Sequence, residues 1–166
     1  LVYYAPNPLP SGRDQRFRLA RMDAHSGVWQ TMPPAALRNE GKVELTEIRL
    51  RTMDGLGLFA QEWRPENAVK GVVCAFHGLG EHGGQYVEVA ESFTAAGVAL
   101  IAIDQRGHGR SEGKRGHTPS YEALLDDVDA MLEGASERHP GVPRFLYGHS
   151  LGGNIVLNHA LRRRAG

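Results

Sequence analysis

Hydrophobic and polar positions alternate along one early stretch of the chain, and this stretch predicts a hairpin. Between Val43 and Arg51 the alternation has the period of two expected of a strand with one buried face. Asp54-Gly55 is a strong turn signal, and residues 56–63 form the predicted return strand. The pattern therefore predicts two antiparallel strands joined by a tight turn.

Beyond the hairpin the pattern changes to strands that alternate with helices. The strands are continuous apolar runs, typical of strands buried on both faces of a parallel sheet. The helices have apolar residues at helical spacing, and Gly97 stands at a C-cap position. The predicted order is strand 71–76, helix 85–96, strand 98–103, a helix opened by Thr118-Pro119, strand 144–147 and helix 154–164.

The helix after Thr118-Pro119 has the clearest amphipathic pattern, and its proline suits the first helical turn. We expect its acids to form a solvated face. The apolar face is Tyr121, Leu124, Leu125, Val128, Met131 and Leu132, and the acids are Asp126, Asp127, Asp129 and Glu133. A hairpin followed by three strand–helix units implies the α/β class, a parallel sheet with helices on both faces.

The first 41 residues differ from the rest. They are rich in proline, and their hydrophobic residues show no regular spacing of a helix or strand. We therefore expect 1–41 to be an irregular or disordered N-terminal extension. The domain then comprises 42–166. The chain begins with Leu1 rather than Met and lacks a signal-peptide pattern, so its natural start stays undefined.

Composition narrows the functional classes. Of 166 residues 41% are hydrophobic and 23% charged, as in a soluble globular domain, and 19 basic side chains balance 19 acidic ones. This balance gives no electrostatic reason to expect nucleic acid. The longest apolar run, 95–103, has about half the length that a membrane-spanning helix needs. Cys74, the single cysteine, is expected to be a small buried hydrophobe.

The sequence Gly148-His149-Ser150-Leu151-Gly152 has the G-x-S-x-G pattern of a nucleophile elbow. A serine on a sharp strand-to-helix turn projects its hydroxyl from the sheet, and Gly148 and Gly152 are small because strand and helix cross closely there. A predicted strand precedes the pattern and an apolar helix follows it. The alternative is a glycine-rich turn with an inert serine.

A second glycine-rich segment, His77-Gly78-Leu79-Gly80, follows the strand 71–76 directly. An elbow hydrolase needs two backbone N–H groups that face the developing oxyanion. We expect these to be the amides of Leu151, at the start of a helix, and of Leu79. The alternative for residues 77–80 is an ordinary turn.

Residues 104–111 follow the next strand and contain a G-x-G, which by itself suggests a dinucleotide site. The dinucleotide-binding fingerprint G-x-G-x-x-G needs a third glycine three residues after Gly109, where this chain has Glu112. It also needs a helix that begins directly at these glycines. We therefore reject it and interpret the segment that begins at Asp104 as a structural loop beneath the site.

Three segments together resemble one family: HGLGEHGGQY (77–86), DQRGHGRSEGKRGHTPSY (104–121) and HPGVPRFLYGHSLGG (139–153). They are similar to the monoacylglycerol lipase and lysophospholipase group of α/β-hydrolases, in matching order and spacing. The resemblance implies that 42–166 is the N-terminal half of an α/β-hydrolase domain, with the C-terminal half and lid absent.

What the resemblance implies chemically is a serine esterase that acts on monoacylglycerols, lysophospholipids or related acyl esters and uses no cofactor or metal. Carried over, Ser150 is the nucleophile, Leu79 and Leu151 form the oxyanion hole, and the supporting positions are His77, Gly78, Gly80, Gly148, Gly152 and Asp104. The expected location is the cytoplasm, with peripheral membrane contact through the lid. The residues do not indicate an oligomeric state.

The triad of this fold runs Ser, then Asp or Glu, then His along the chain. No acid follows Ser150, and His159 lies about 13 Å along the following helix, out of reach. The remaining histidines, none of them a convincing base, are His25, His77, His82, His108, His117, His139 and His149. We expect the chain alone to be inactive, with a rate about four to six orders of magnitude below the parent.

Two further interpretations stay open at this point. A non-catalytic module on the same scaffold would bind a small apolar ligand without turnover. A nucleotide-binding protein would bind NAD or ATP saturably. We also expect the strand before Ser150 to be an exposed apolar edge, so that the chain alone is marginally stable and prone to aggregate.

Overall fold

The structure, a computed structural model, describes the backbone of residues 20–22 and 29–31 and the whole of residues 43–163. Within the predicted extension, β1 (Ala20–Met22) pairs antiparallel with β2 (Trp29–Thr31). The remainder of the extension and His25 lie outside the described residues.

The predicted hairpin is present. β3 (Val43–Arg51) pairs antiparallel with β4 (Gly57–Pro65), with Arg51 opposite Gly57 at the closed end. Gly55 in the turn has a φ of 82°, which glycine adopts without steric cost. Asp54 and Gly55 thus form the turn that the sequence indicates.

Three parallel strands extend this hairpin into a five-stranded sheet of order β3-β4-β6-β5-β7. They are β5 (Val72–Phe76), β6 (Ala99–Ile103) and β7 (Arg144–Gly148). β4 pairs antiparallel with β6, while β5 lies between β6 and β7 and is parallel to both. β5 and β6 are buried throughout, as their continuous apolar sequences predict. β7 is an edge strand of the sheet, and its Phe145 is 41% exposed.

Helices cover both faces of the sheet, which confirms the α/β prediction. They are α1 (Val87–Ala95), preceded by a 3-10 turn at Gly83–Tyr86, α2 (Tyr121–Arg138) and α3 (Leu151–Arg163). Alternate residues of β5 divide between the two faces: Cys74 packs in the core with α2 and α3, and Ala75 packs in the core with α1. Cys74 is fully buried, as predicted, and burial raises the pKa of its thiol to about 12.

The starts predicted from sequence for α2 and α3 are wrong. α2 begins at Tyr121 with Ser120 as its N-cap, and the Ser120 hydroxyl accepts a hydrogen bond from the Ala123 amide at 3.1 Å. Thr118 instead donates its hydroxyl to the Ser120 carbonyl at 2.8 Å. α3 begins at Leu151, three residues earlier than predicted, because the helix starts immediately after Ser150.

The prediction that all acids of α2 form a solvated face is also wrong at one position. Asp127 is 2% exposed, and its carboxylate accepts hydrogen bonds from Arg106 at 2.6 and 2.7 Å. The same guanidinium reaches Asp54 of the hairpin turn at 2.9 Å. Arg106 thereby joins the hairpin, the loop after β6 and α2. Asp127 is buried because Arg106, from a distant segment of the chain, neutralises its charge.

Candidate active site

The segments that carry candidate chemistry meet at one edge of the sheet. β5, β6 and β7 are parallel neighbours, so their carboxyl ends lie side by side, where α/β proteins place their sites. The loop 77–82 follows β5, the loop 104–120 follows β6, and Ser150 follows β7. The predicted site residues therefore come from three adjacent strand ends.

The backbone at Ser150 has the conformation of a nucleophile elbow. Its φ is 50°, and among the described residues no other non-glycine residue has a positive φ. A side chain in this left-handed region is strained, and such strain persists where surrounding structure enforces it. α3 begins at the next residue, and the Ser150 carbonyl accepts from the Asn154 amide at 3.1 Å. The serine is exposed at the top of the sheet.

Close backbone packing explains the glycines around Ser150. A Cβ on Gly152 would lie 2.0 Å from the Phe76 carbonyl oxygen, and one on Gly148 would lie 2.4 Å from the Gly152 carbonyl. The His149 amide also donates to the Phe76 carbonyl at 3.0 Å. The first turn of α3 therefore lies directly against the ends of β5 and β7, and only glycine fits at these two positions.

The two predicted oxyanion donors lie on different segments of this edge. Leu151 is the first residue of α3, so its amide belongs to the helix N-terminus, where N–H groups lack partners within the helix. Leu79 lies in the loop after β5 with its side chain 71% exposed, and Gly80 beside it has a φ of 79°. The oxyanion role of both amides stays a prediction.

Glu81 links the loop after β5 to the elbow. Its carboxylate accepts from the Gly78 amide at 2.8 Å and lies 3.2 Å from His149 Nδ1. Partial burial opposes ionisation of this group, but the hydrogen bond from Gly78 and the contact with His149 together lower the pKa of Glu81. A negative charge is thus held beside the turn that carries Ser150.

Asp104 fastens the loop after β6 beneath the site. Its carboxylate accepts from the Gly83 amide at 2.7 Å and from the Arg110 amide at 2.7 Å. Gly109 packs so closely that a Cβ there would lie 2.1 Å from the Asp104 carboxylate. Asp104 therefore ties the loop after β6 to the 3-10 turn, and its role in the site stays a prediction.

No histidine among residues 43–163 hydrogen-bonds to the Ser150 hydroxyl. The buried histidines are engaged elsewhere: His159 contacts Asp129 at 2.6 Å, and His139 contacts Glu62. His77 is fully buried, with its ring 5.2 Å from that of His108. His82, His117 and His149 are exposed. The described residues thus present the elbow without a base in contact with its serine.

Two side chains at this edge have contacts to which sequence reasoning assigned no role. Glu81 lies within the HGLGEH string, and its position three residues after Gly78 is a signal for its hydrogen bond to that amide. Gln105 carries no such signal, since its contacts with His77 join residues 28 positions apart. Over the described part of the chain, no cluster of three or more metal-ligating side chains occurs, and no helix there is long and apolar enough to cross a membrane.

Comparison with known proteins places this site in a family context. The family model described as Hydrolase_4, serine aminopeptidase S33, matches residues 67–166, which include both loops and the turn at Ser150. A monoacylglycerol lipase of Mycolicibacterium smegmatis is 41% identical over 108 residues, which are 65% of this chain and 39% of that protein. The chain therefore spans about two-fifths of that relative's length.

Solved structures show the same fold. A thermostable carboxyl esterase of Bacillus coagulans superposes with a TM-score of 0.66 at 26% identity, over 75% of this chain and 42% of that one. A monoacylglycerol lipase of Paleococcus ferrophilus gives a TM-score of 0.52 at 36% identity, over 74% of this chain and 39% of that one. The chain is thus similar to the N-terminal portion of these α/β-hydrolases, and this confirms the resemblance drawn from the three segments.

Proposed function

We propose that this chain, which belongs to the serine aminopeptidase S33 (Hydrolase_4) family of α/β-hydrolases, forms the nucleophile half of an enzyme that cleaves carboxylic esters through an acyl-serine intermediate. The observation that carries the proposal is the conformation of Ser150. A φ of 50° at a serine between two glycines that admit no Cβ is costly, and in this fold it presents the hydroxyl for attack.

The proposed chemistry begins with attack of the Ser150 oxygen on the acyl carbon of the substrate. The charge that develops on the carbonyl oxygen is stabilised by the amides of Leu79 and Leu151, the second of which has the favourable field of a helix N-terminus. The alcohol leaves, and water then releases the acid from the serine. Each step needs a base: in the first it takes the serine proton and gives it to the leaving alcohol, and in the second it takes a proton from water and gives it to the serine oxygen.

We further propose that the base and its carboxylate partner lie in parts of the protein outside residues 43–163. No described histidine hydrogen-bonds to the Ser150 hydroxyl, His139 and His159 pair with carboxylates instead, and the relative from Mycolicibacterium smegmatis is more than twice as long as the segment it shares with this chain. The chain alone is then expected to turn over substrate very slowly, since only the oxyanion hole and substrate binding would remain.

We propose a monoacylglycerol or lysophospholipid as substrate because relatives at 41% and 36% identity are named as monoacylglycerol lipases. Peripheral membrane contact through a lid and a cytoplasmic location stay predictions. The family description also names an aminopeptidase, so an aminoacyl substrate is the competitor to exclude.

The experiment compares four substrates with the protein expressed from its complete coding sequence: a 1-monoacylglycerol, a lysophosphatidylcholine, a p-nitrophenyl butyrate ester and an aminoacyl p-nitroanilide. We expect the highest kcat/KM for one of the two lipids and no turnover by Ser150→Ala. Preference for the anilide would contradict the ester assignment. Lack of turnover of all four, with saturable binding of the lipids, would favour a binding module.

A further inference from the structure

The loop that carries Leu79 is fixed at its base by a neighbour from another loop. His77 opens this loop and is fully buried, and Gln105, 3% exposed, follows β6. The Gln105 backbone amide donates to His77 Nε2 at 3.0 Å, and the Gln105 side-chain amide donates to the His77 carbonyl; the same side-chain nitrogen also lies 3.4 Å from His77 Nδ1. The carbonyl oxygen is an acceptor only, so the Gln105 side chain must present its NH2 group to it.

The first of these bonds decides where the proton sits on His77. A neutral imidazole has one donor and one acceptor nitrogen, and Nε2 is the acceptor because the Gln105 amide donates to it. Nδ1 therefore carries the hydrogen and donates it to the Gly78 carbonyl at 2.6 Å. Burial, opposed by this bond to Gly78, lowers the pKa of His77, and the neutral ring suits the arrangement.

The hydrogen bond from His77 orients the next peptide group. The Gly78 carbonyl and the Leu79 amide belong to one planar trans peptide unit, so the two groups point in opposite directions. The Glu81 amide also donates to the Gly78 carbonyl, at 3.3 Å. Holding this carbonyl on one side of the loop therefore fixes the direction of the Leu79 N–H on the other.

We propose that Gln105 is a positioning residue for the oxyanion hole and that it acts through His77. Its side chain anchors the His77 carbonyl, its backbone amide sets the His77 tautomer, and His77 in turn orients the peptide that presents the Leu79 N–H. The inference rests on the proposed function, because it matters only if the Leu79 amide stabilises an oxyanion. It differs from a purely structural role in that catalysis depends on the direction of the donor.

The test replaces Gln105 in the protein expressed from its complete coding sequence. Gln105→Glu keeps the shape of the side chain, but its carboxylate cannot donate to the His77 carbonyl. We expect kcat for the preferred ester, and the rate at which a fluorophosphonate probe modifies Ser150, to fall about 10- to 100-fold, because a misdirected oxyanion donor stabilises the transition state less. KM should stay within about twofold, since a ground-state ester carries little charge on its carbonyl oxygen.

The acidity of the introduced carboxyl group provides a readout that a loss of stability alone would not produce. When this carboxyl group is protonated it regains an O–H donor, so the ratio of kcat for Gln105→Glu to kcat for the unchanged protein should rise as the pH is lowered. Gln105→Met also removes the donor but has nothing to protonate, so its ratio should stay flat with pH. If Gln105→Glu fails to fold, Gln105→Met carries the comparison of kcat with KM.

Thr94→Val is the matched control. Thr94 is 2% exposed in α1 and donates its hydroxyl to the Ala90 carbonyl at 2.9 Å, so the variant also loses one buried hydrogen bond to a carbonyl. Its kcat should stay within about twofold of the unchanged protein, whatever its melting temperature. A similar fall of kcat in this control would overturn the inference.

The outcomes separate this inference from the proposed function. If the unchanged protein reacts with the probe at Ser150 and both Gln105 variants react at the same rate, the inference is wrong and the proposed function stands. If the unchanged protein does not react at Ser150, the proposed function fails and the inference fails with it. A fall of kcat at constant KM, with the ratio for Gln105→Glu rising at low pH, supports both.

Discussion

The strained backbone conformation of Ser150 depends on the glycines around it. The serine occupies a left-handed backbone conformation that costs about 1–2 kcal/mol for a residue with a side chain. Gly148 and Gly152 let the first turn of α3 lie against the strand ends, and this packing maintains the strained turn. The strain and the absence of two side chains are therefore parts of one arrangement.

A methyl group at Gly152 should disrupt this arrangement. The new Cβ of Gly152→Ala would lie 2.0 Å from the Phe76 carbonyl oxygen, and backbone on both sides would have to move. We expect the free energy of unfolding, measured by urea denaturation, to fall by more than about 3 kcal/mol, at the upper end of overpacking effects. The reaction of Ser150 with a fluorophosphonate should be lost as well.

Gly153→Ala is the control for this substitution. Its Cβ would lie 3.2 Å from the Gly148 carbonyl oxygen, a tight contact but one that a small shift relieves. Alanine is also favoured over glycine inside a helix by about 1 kcal/mol, so we expect the net change to stay within about 1 kcal/mol. Equal effects of the two substitutions would contradict the packing explanation.

At the scale of single elements, α2 makes one buried ion pair and other ion pairs that are partly exposed. Asp127 and Arg106 have side chains only 3% and 2% exposed and join α2 to the loop after β6. The neighbouring Asp126 instead pairs with Arg163 of α3 at 2.8 Å, where both side chains are about one-third exposed. Two adjacent acids on one helix therefore have different roles.

We expect Asp127→Asn to destabilise the protein strongly and Asp126→Asn to have a small effect. The first substitution leaves the Arg106 guanidinium with part of its charge uncompensated in a buried position, which costs about 3 kcal/mol. The second removes a partly exposed pair, worth less than about 1 kcal/mol. Urea denaturation of both variants measures the difference, and a similar loss in the two would show that burial of the Arg106 pair is unimportant.

At the scale of the whole molecule, the sequence is sufficient to predict the hairpin, the parallel strands and the elbow. These features follow from local patterns: the period of two in 43–51, the continuous apolar runs and the glycines around Ser150. The contacts that sequence reasoning missed join segments far apart in the chain. Asp127 is buried because Arg106 reaches it, and Gln105 contacts His77 across two strand ends. Neither contact leaves a periodic pattern.

The helix starts illustrate the same limit at closer range. Thr118-Pro119 has the composition of a helix start, but Ser120 takes the cap because its hydroxyl accepts from the Ala123 amide. α3 begins at Leu151, directly after the turn at Ser150, although its first residues include two glycines, which favour helices poorly. In both cases residue composition alone does not identify the first residue of the helix.

The central claim is that Ser150 is an activated nucleophile in the complete protein. The most direct measurement is labelling by a fluorophosphonate probe of the protein expressed from its complete coding sequence, of its Ser150→Ala variant and of the 166-residue chain, with circular dichroism to verify that each is folded. We predict that the complete protein is labelled at Ser150, that Ser150→Ala is not labelled, and that the 166-residue chain is labelled far more slowly. A folded complete protein that the probe does not modify at Ser150 would contradict the account.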